Sequence, residues 1–232
     1  MTVVTFANPK GGVGKTTSAM LFAEYCLENE LSVVMMDLDP NKNLVGFHNH
    51  RKNQGVETPF KVIPRPNDLD DVIQILKDAN KHSDIVVVDL EGSRDKVATL
   101  ALSQTDMAII PLNGSAMEAR QAAAAMKLVN STSAMINRKI SQWCLFTRVN
   151  SGIAWADELE VRNELEANGL PVFKSRLELR STYTRIFKDS LFMNEMISRE
   201  KNKVALNKLI KARNNSHKVC GEIARKLIEV TA

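Results

Sequence analysis

Short apolar runs alternate along this chain with segments in which apolar residues return every three or four positions, and that alternation predicts an architecture. Thr2-Val3-Val4-Thr5-Phe6-Ala7 is β-branched and apolar and reads as a strand. From 16 to 29, Ala19, Met20, Phe22, Ala23, Cys26 and Leu27 gather on one side of a helix. Further strands are expected at 31–36, 85–88, 107–112, 142–146 and, briefly, 172–173; further helices at 69–79, 96–102, 115–130 and 154–167. Apolar strands separated by helical segments are parallel strands joined by right-handed crossovers, with helices on both sheet faces. The expected fold is therefore α/β, a doubly wound and mostly parallel sheet. Two stretches break the rhythm. Residues 41–66, polar and turn-rich with Pro59, Pro64 and Pro66, read as a partly ordered excursion, and from 176 onward the chain shows no strand signal and reads as helices. With no repeat, low-complexity tract or linker, residues 1–232 read as one domain with a helical C-terminal portion.

Composition narrows the class. A chain of 232 residues suffices for one α/β core and is short for two average domains. Hydrophobic residues at 44% and charged residues at 25% describe an ordinary globular protein. No apolar stretch approaches the ~18 residues of a membrane span. Met1 leads directly into the first strand, so a cytoplasmic location is expected. Cys26, Cys144 and Cys220 are odd in number, far apart and in apolar or helical settings, which argues against disulfides or a zinc site. The net charge of +4 conceals an asymmetry: residues 174–232 hold fourteen Lys and Arg against six Asp and Glu, and the remainder seventeen against twenty-one.

The chemistry concentrates after the first strand, in Lys10-Gly11-Gly12-Val13-Gly14-Lys15-Thr16-Thr17. A phosphate-binding loop of the form GxxxxGK[ST] cradles phosphates with its backbone N–H groups, reaches them with its lysine and offers its hydroxyl to Mg²⁺. Gly14, Lys15 and Thr16 fill the last three positions, but Pro9 stands where the first glycine belongs and a second lysine, Lys10, precedes the glycines. Strand, glycine loop and helix follow in the order that sets a helix N-terminus against phosphates. The variant loop KGGVGKTT is a deviant Walker A motif, and in it the chain resembles the ParA/MinD family of ATPases. The resemblance implies that Lys10 reaches across a dimer interface to the nucleotide held by a second subunit. Gly11 and Gly12 would then allow the close approach of the two chains.

Two further segments extend the resemblance. Asp37-Leu38-Asp39-Pro40 ends a strand, where carboxylates face the ligand in a sheet of this type, and with Asn41 and Asn43 it is similar to the family's DxDPQxN segment. The family assigns Asp39 to orienting or activating the attacking water and Asp37 to supporting the Mg²⁺ shell. Asp84-Ile85-Val86-Val87-Val88-Asp89 has the form of a Walker B strand, with Asp89 holding Mg²⁺ through water and Thr16 ligating it. Where most family members continue with two prolines, this chain has Leu90-Glu91-Gly92-Ser93. Gly92 leaves room for a γ-phosphate; Glu91 reads equally as a site group and as a solvated loop charge. Asn150, after the strand ending at Phe146, and Arg176 lie where the family recognises adenine.

The basic C-terminal quarter carries Arg176, Arg180, Arg185, Lys188, Arg199, Lys201, Lys203, Lys208, Lys211, Arg213 and Lys218. Such a density of cations attracts nucleic-acid backbone through counterion release without any base-reading motif, and the family's ATP-bound dimers bind DNA through this region. The last helix has balanced charge and no aromatic anchor, a poor composition for membrane binding. The resemblance thus implies an ATP- and Mg²⁺-dependent partition ATPase, homodimeric with ATP, nucleoid-associated and triggered by a ParB-like partner. A MinD-like or conjugation-complex positioning ATPase and a P-loop amide-forming or biotin-pathway synthetase are the alternatives.

Overall fold

The computed structural model describes residues 2–91, 96–114, 116–152 and 156–231. Its strands are β1 (Thr2–Asn8), β2 (Val33–Asp37), β3 (Lys61–Pro64), β4 (Ile85–Glu91), β5 (Met107–Leu112), β6 (Ser141–Val149) and β7 (Leu177–Glu178). Its helices are α1 (Lys15–Glu28), α2 (Asn43–Asn53), α3 (Asp71–Lys81), α4 (Lys96–Ser103), α5 (Ala116–Met135), α6 (Ala156–Ala167), α7 (Ser181–Asp189), α8 (Met193–Arg199) and α9 (Lys203–Thr231). The strands form one sheet in the order β3-β2-β4-β1-β5-β6-β7, each neighbouring pair parallel.

Alternate residues of the central strands serve opposite layers. Val4, Phe6, Met35, Val87 and Ile109 pack with α1, α8 and α9 in one core. Val3, Ala7, Val34, Met36, Val86 and Ala108 pack with α3 and α4 in the other. A third cluster joins β5 and β6 to α5 and α6 through Ile110, Leu112, Met126, Phe146 and Leu165. Because both faces are covered, the central strands carry near-continuous apolar runs rather than an apolar residue at every second position. From β1 the chain winds outward through β2 and β3, returns to β4 beside β1, and then winds the other way through β5, β6 and β7. Ligands of such sheets bind at the carboxyl ends of the strands near that reversal.

Two sequence expectations are corrected. Residues 41–66 are not a partly ordered excursion: they contain α2 and the edge strand β3. In α2 the buried residues are Leu44, Phe47 and Arg51, so a charged residue occupies an inward position and the helical stripe is diluted. Residues 172–173 make only an isolated bridge, Cys144 with Val172, and the last strand lies beyond Arg176 as β7. The β7 backbone is completed by a side chain: Asn215 of α9 accepts the Glu178 N–H at 2.9 Å and donates to the Arg176 carbonyl at 2.9 Å. A strand of two residues finished by a residue 37 positions away leaves little local signal.

Candidate functional site

The phosphate loop is fixed at both ends before any ligand is considered. Asn8, buried at the end of β1, donates to the Pro111 carbonyl at 2.7 Å and accepts the Lys10 N–H at 2.9 Å. Gly12 (φ 76°) and Gly14 (φ 90°) sit in left-handed conformations that glycine adopts without strain. Gly14 begins α1 with no side-chain cap, and the first turn of α1 holds no acidic residue. Its N–H groups and positive dipole end therefore remain open to an anion. Lys15 is buried, with its Nζ donating to the Lys10 carbonyl at 3.0 Å. From β6, Thr147 donates to the Val13 carbonyl at 2.5 Å, and Arg148 donates to the Gly12 carbonyl.

The carboxylates stand on the neighbouring strand ends. Asp37 and Asp89 are register partners in β2 and β4, and both are fully buried. One oxygen of Asp37 accepts the N–H groups of Leu44 and Val45 at 2.9 and 3.0 Å, capping α2; its other oxygen has no hydrogen bond. Burial raises the Asp37 pKa, with the nearby Asp39 charge adding to it and those N–H groups opposing it. Neither oxygen of Asp89 has a hydrogen-bond partner at normal distance. Burial pushes the Asp89 pKa up to about 7, helped by Asp37 and Asp39 and opposed by the Thr16 hydroxyl and the Lys15 charge. A buried carboxylate without partners is costly unless a cation or ordered water completes it. No cluster of three or more His, Cys, Asp or Glu with metal-holding geometry occurs among the described residues. A hydrated Mg²⁺, drawing ligands from Thr16, water and phosphate, fits this donor set. Asp39 is also buried, and its Oδ1 accepts the backbone and side-chain N–H groups of Asn41, both at 2.8 Å.

Above the loop lies a cleft of about 410 Å³. Gly11, Gly12, Gly14, Lys15, Thr16, Thr17 and Asp39, all singled out from the sequence, line it. Lys10, half-buried, and Val13 belong to the same loop and hand their carbonyls to Lys15 and Thr147. Asp37 and Asp89 stand behind the lining, in the strand ends. Asn150 is exposed, outside this lining, and Arg176 pairs with Glu158 at 2.7 Å and donates to the Gly152 carbonyl. Gly92 lies outside the described residues, and Glu91 is the last residue of β4. The far wall is formed by Thr147, Arg148 and Leu177, neighbours of the Asn150 and Arg176 expected at adenine, by Arg180, expected at DNA, and by Glu178, Leu179, Tyr183, Thr184 and Phe187, which the sequence did not single out. The alternation Leu177-Glu178-Leu179 was the available signal, and its brevity hid it.

The basic C-terminal residues divide into two groups. Arg176, Arg180, Arg185 and Arg213 are half-buried and paired with Glu158, Glu178, Asp189 and Glu28. Lys188, Arg199, Lys201, Lys203, Lys208, Lys211 and Lys218 are exposed. Val219, Ile223 and Leu227 of α9 are buried in the core, whereas Ile228 and Val230 near its end are exposed. The three cysteines are free and buried; burial pushes Cys26 and Cys144 up to about 12 and Cys220 well above its ordinary value, which leaves the thiols inert. No helix among the described residues is long and apolar enough to cross a membrane.

Comparison with known proteins agrees with this geometry. The chain is 27% identical over 205 residues to a Protein ParA of Rhizobium radiobacter, covering 88% of this chain and 90% of that one. Among solved structures, apo McdA of Cyanothece superposes with a TM-score of 0.69 at 18% identity, covering 93% of this chain and 99% of that one. A protein assigned to plasmid partition in Borrelia burgdorferi B31, bound to AMPPNP, superposes with a TM-score of 0.66 at 19% identity, covering 97% and 99%. These two likenesses concern the fold. The model of the CobQ/CobB/MinD/ParA nucleotide binding domain matches residues 4–191, which include every residue that lines the cleft. With its phosphate loop, strand-end carboxylates and cleft in one place, the chain belongs to the CobQ/CobB/MinD/ParA nucleotide-binding family.

Proposed function

We propose that this chain is a ParA-type ATPase that takes ATP with Mg²⁺, pairs with a second copy around the nucleotide, holds DNA without sequence preference and releases it after hydrolysis. The carrying observation is Asp89, fully buried, whose oxygens make no hydrogen bond of ordinary geometry and face the Thr16 hydroxyl and the Lys15 charge of the loop. Lys15, held on the Lys10 carbonyl, would exchange it for the β and γ phosphates. Thr16 would ligate Mg²⁺, and Asp89 would hold it through water with Asp37 behind. When bound, the ion supplies charge neutralisation at the phosphates. Asp39 lines the cleft and would orient the attacking water, while Lys10 would complete the site of the partner copy. Leu177, Leu179, Tyr183 and Phe187 offer the apolar wall that a purine requires.

The exposed lysines support the DNA reading, because among the described residues they stand outside the ion pairs that hold Arg176, Arg180 and Arg185. The work of the cycle is segregation or positioning of a plasmid, chromosome or other cargo on the nucleoid, with hydrolysis triggered by a ParB-like activator. Turnover of ATP with and without nonspecific duplex DNA tests it, together with retention on DNA across a salt series. ATP-dependent retention that weakens with salt is expected. Absence of such retention at every salt concentration removes the DNA-carrier reading and leaves a small-molecule synthetase on the same fold.

A further inference from the structure

We infer that Arg148 is a positioning residue of the nucleotide site, kept in a strained backbone conformation because its guanidinium fixes the front of the phosphate loop. The inference rests on reading the cleft above the loop as the nucleotide site. Between β6 and β7 the register breaks at this residue: Thr147 pairs with Leu177 and Val149 with Glu178, so two steps on β6 face one on β7. Arg148 is the extra residue, and its φ is 55°. Non-glycine residues occupy this left-handed region rarely and at a cost, and bulges of this kind re-aim a side chain, often beside a functional site. The side chain of Arg148 is exposed, so the sheet does not need it for packing. It turns instead over the loop, lines the cleft and donates to the Gly12 carbonyl.

That hydrogen bond completes a pattern. Thr147 holds the Val13 carbonyl, Arg148 the Gly12 carbonyl and Lys15 the Lys10 carbonyl. Across a trans peptide the carbonyl and the following N–H point in opposite directions. Tying the carbonyls of Gly12 and Val13 to β6 therefore sets the N–H groups of Val13 and Gly14, which are phosphate donors in a loop of this type. Lys15 has to exchange its carbonyl for a phosphate, whereas the hold of Arg148 on Gly12 persists with ligand bound. A charged donor makes the stronger hydrogen bond, and its charge adds to the field at the cleft mouth.

The test separates function from structure by sign. Arg148→Gly removes both the guanidinium and the backbone strain, Arg148→Met removes only the guanidinium, and Arg148→Lys retains a charged donor. Melting temperature and the Kd for ADP and for ATPγS, both with Mg²⁺, are measured by calorimetry on the full chain, with Lys15→Ala as the non-binding control. The glycine variant is expected to melt at or above the parent while its Kd rises about tenfold or more; the methionine variant should share that loss and the lysine variant recover part of it. Glycine and methionine variants that bind as the parent does overturn the inference, as does a glycine variant that is destabilised while the methionine variant keeps full affinity. A parent chain no better than the Lys15→Ala control overturns the reading of the cleft, and the inference with it.

Discussion

Lys10 and Lys15 sit in one loop yet face different tasks. Lys15 is buried against the Lys10 carbonyl within its own loop, and the Lys10→Ala change leaves that carbonyl in place. Lys10→Ala should therefore abolish hydrolysis and ATP-dependent self-association while nucleotide affinity falls far less; Lys15→Ala should lose both. Equilibrium binding and light scattering on the two variants check this, and equal losses of affinity would place Lys10 in its own subunit's site. Glu24 of α1 accepts the Asn194 N–H at 3.0 Å. Burial pushes its pKa up from 4.5 to about 7, with the charges of Glu28 and Glu195 adding to the shift and the N–H groups of Asn194 and Met193 opposing it. Below pH 4.5 both folded and unfolded chains hold this proton, and no penalty arises. As pH rises from 4.5 to 7 the folded chain keeps a proton that the unfolded chain releases, so stability falls, by on the order of 3 kcal/mol at most once both are ionised. Glu24→Gln, which retains the acceptor, should be more stable than the parent at pH 8 and lose that advantage near pH 4.5, as denaturant melts at the two pH values will show.

At the scale of elements, α2 couples the site to the C-terminal helices. Its first turn is capped by Asp37, and at its end Arg51, 2% exposed, pairs with Glu195 of α8 at 2.6 Å and donates to the carbonyls of Ser190 and Glu57. The guanidinium also lies 4.7 Å from the Phe192 ring centroid. Arg51→Leu removes one partner of a largely buried pair, so a loss of about 3 kcal/mol in chemical denaturation is expected. That arginine also explains why α2 could not be read from the sequence: an inward-facing cation looks like surface until its partner, 144 positions away, is known. By contrast α1, α4, β1, β4 and β5 were legible to within a few residues, because two-sided burial writes continuous apolar runs and a regular helical stripe directly into the chain. Of the site, the loop and the strand-end aspartates were legible for the same local reason. The wall from Leu177 to Phe187 was not, since β7 is a two-residue strand whose pairing with β6 and bonds to Asn215 join segments far apart in the chain.

Over the whole molecule the charge asymmetry becomes a surface. The exposed Lys201, Lys203, Lys208 and Lys211 should carry DNA retention, whereas Arg176, with an 18% exposed side chain tied to Glu158, should not. Lys203→Glu with Lys208→Glu should weaken ATP-dependent retention and flatten its salt dependence, the slope changing by about 0.9 for each phosphate that is no longer neutralised; Arg176→Ala should chiefly lower the melting temperature. A salt series of retention on nonspecific duplex, run beside thermal melts, distinguishes the two. By itself the sequence determined the α/β class, the phosphate loop and the aspartates beside it, because each is set by neighbours within a few residues and by period. Only the tertiary structure decided which cations stand exposed, how the cleft is walled and why Arg148 bends back over Gly12. Those features depend on groups far apart in the chain, whose pairing is determined by packing and by the need to satisfy buried polar atoms.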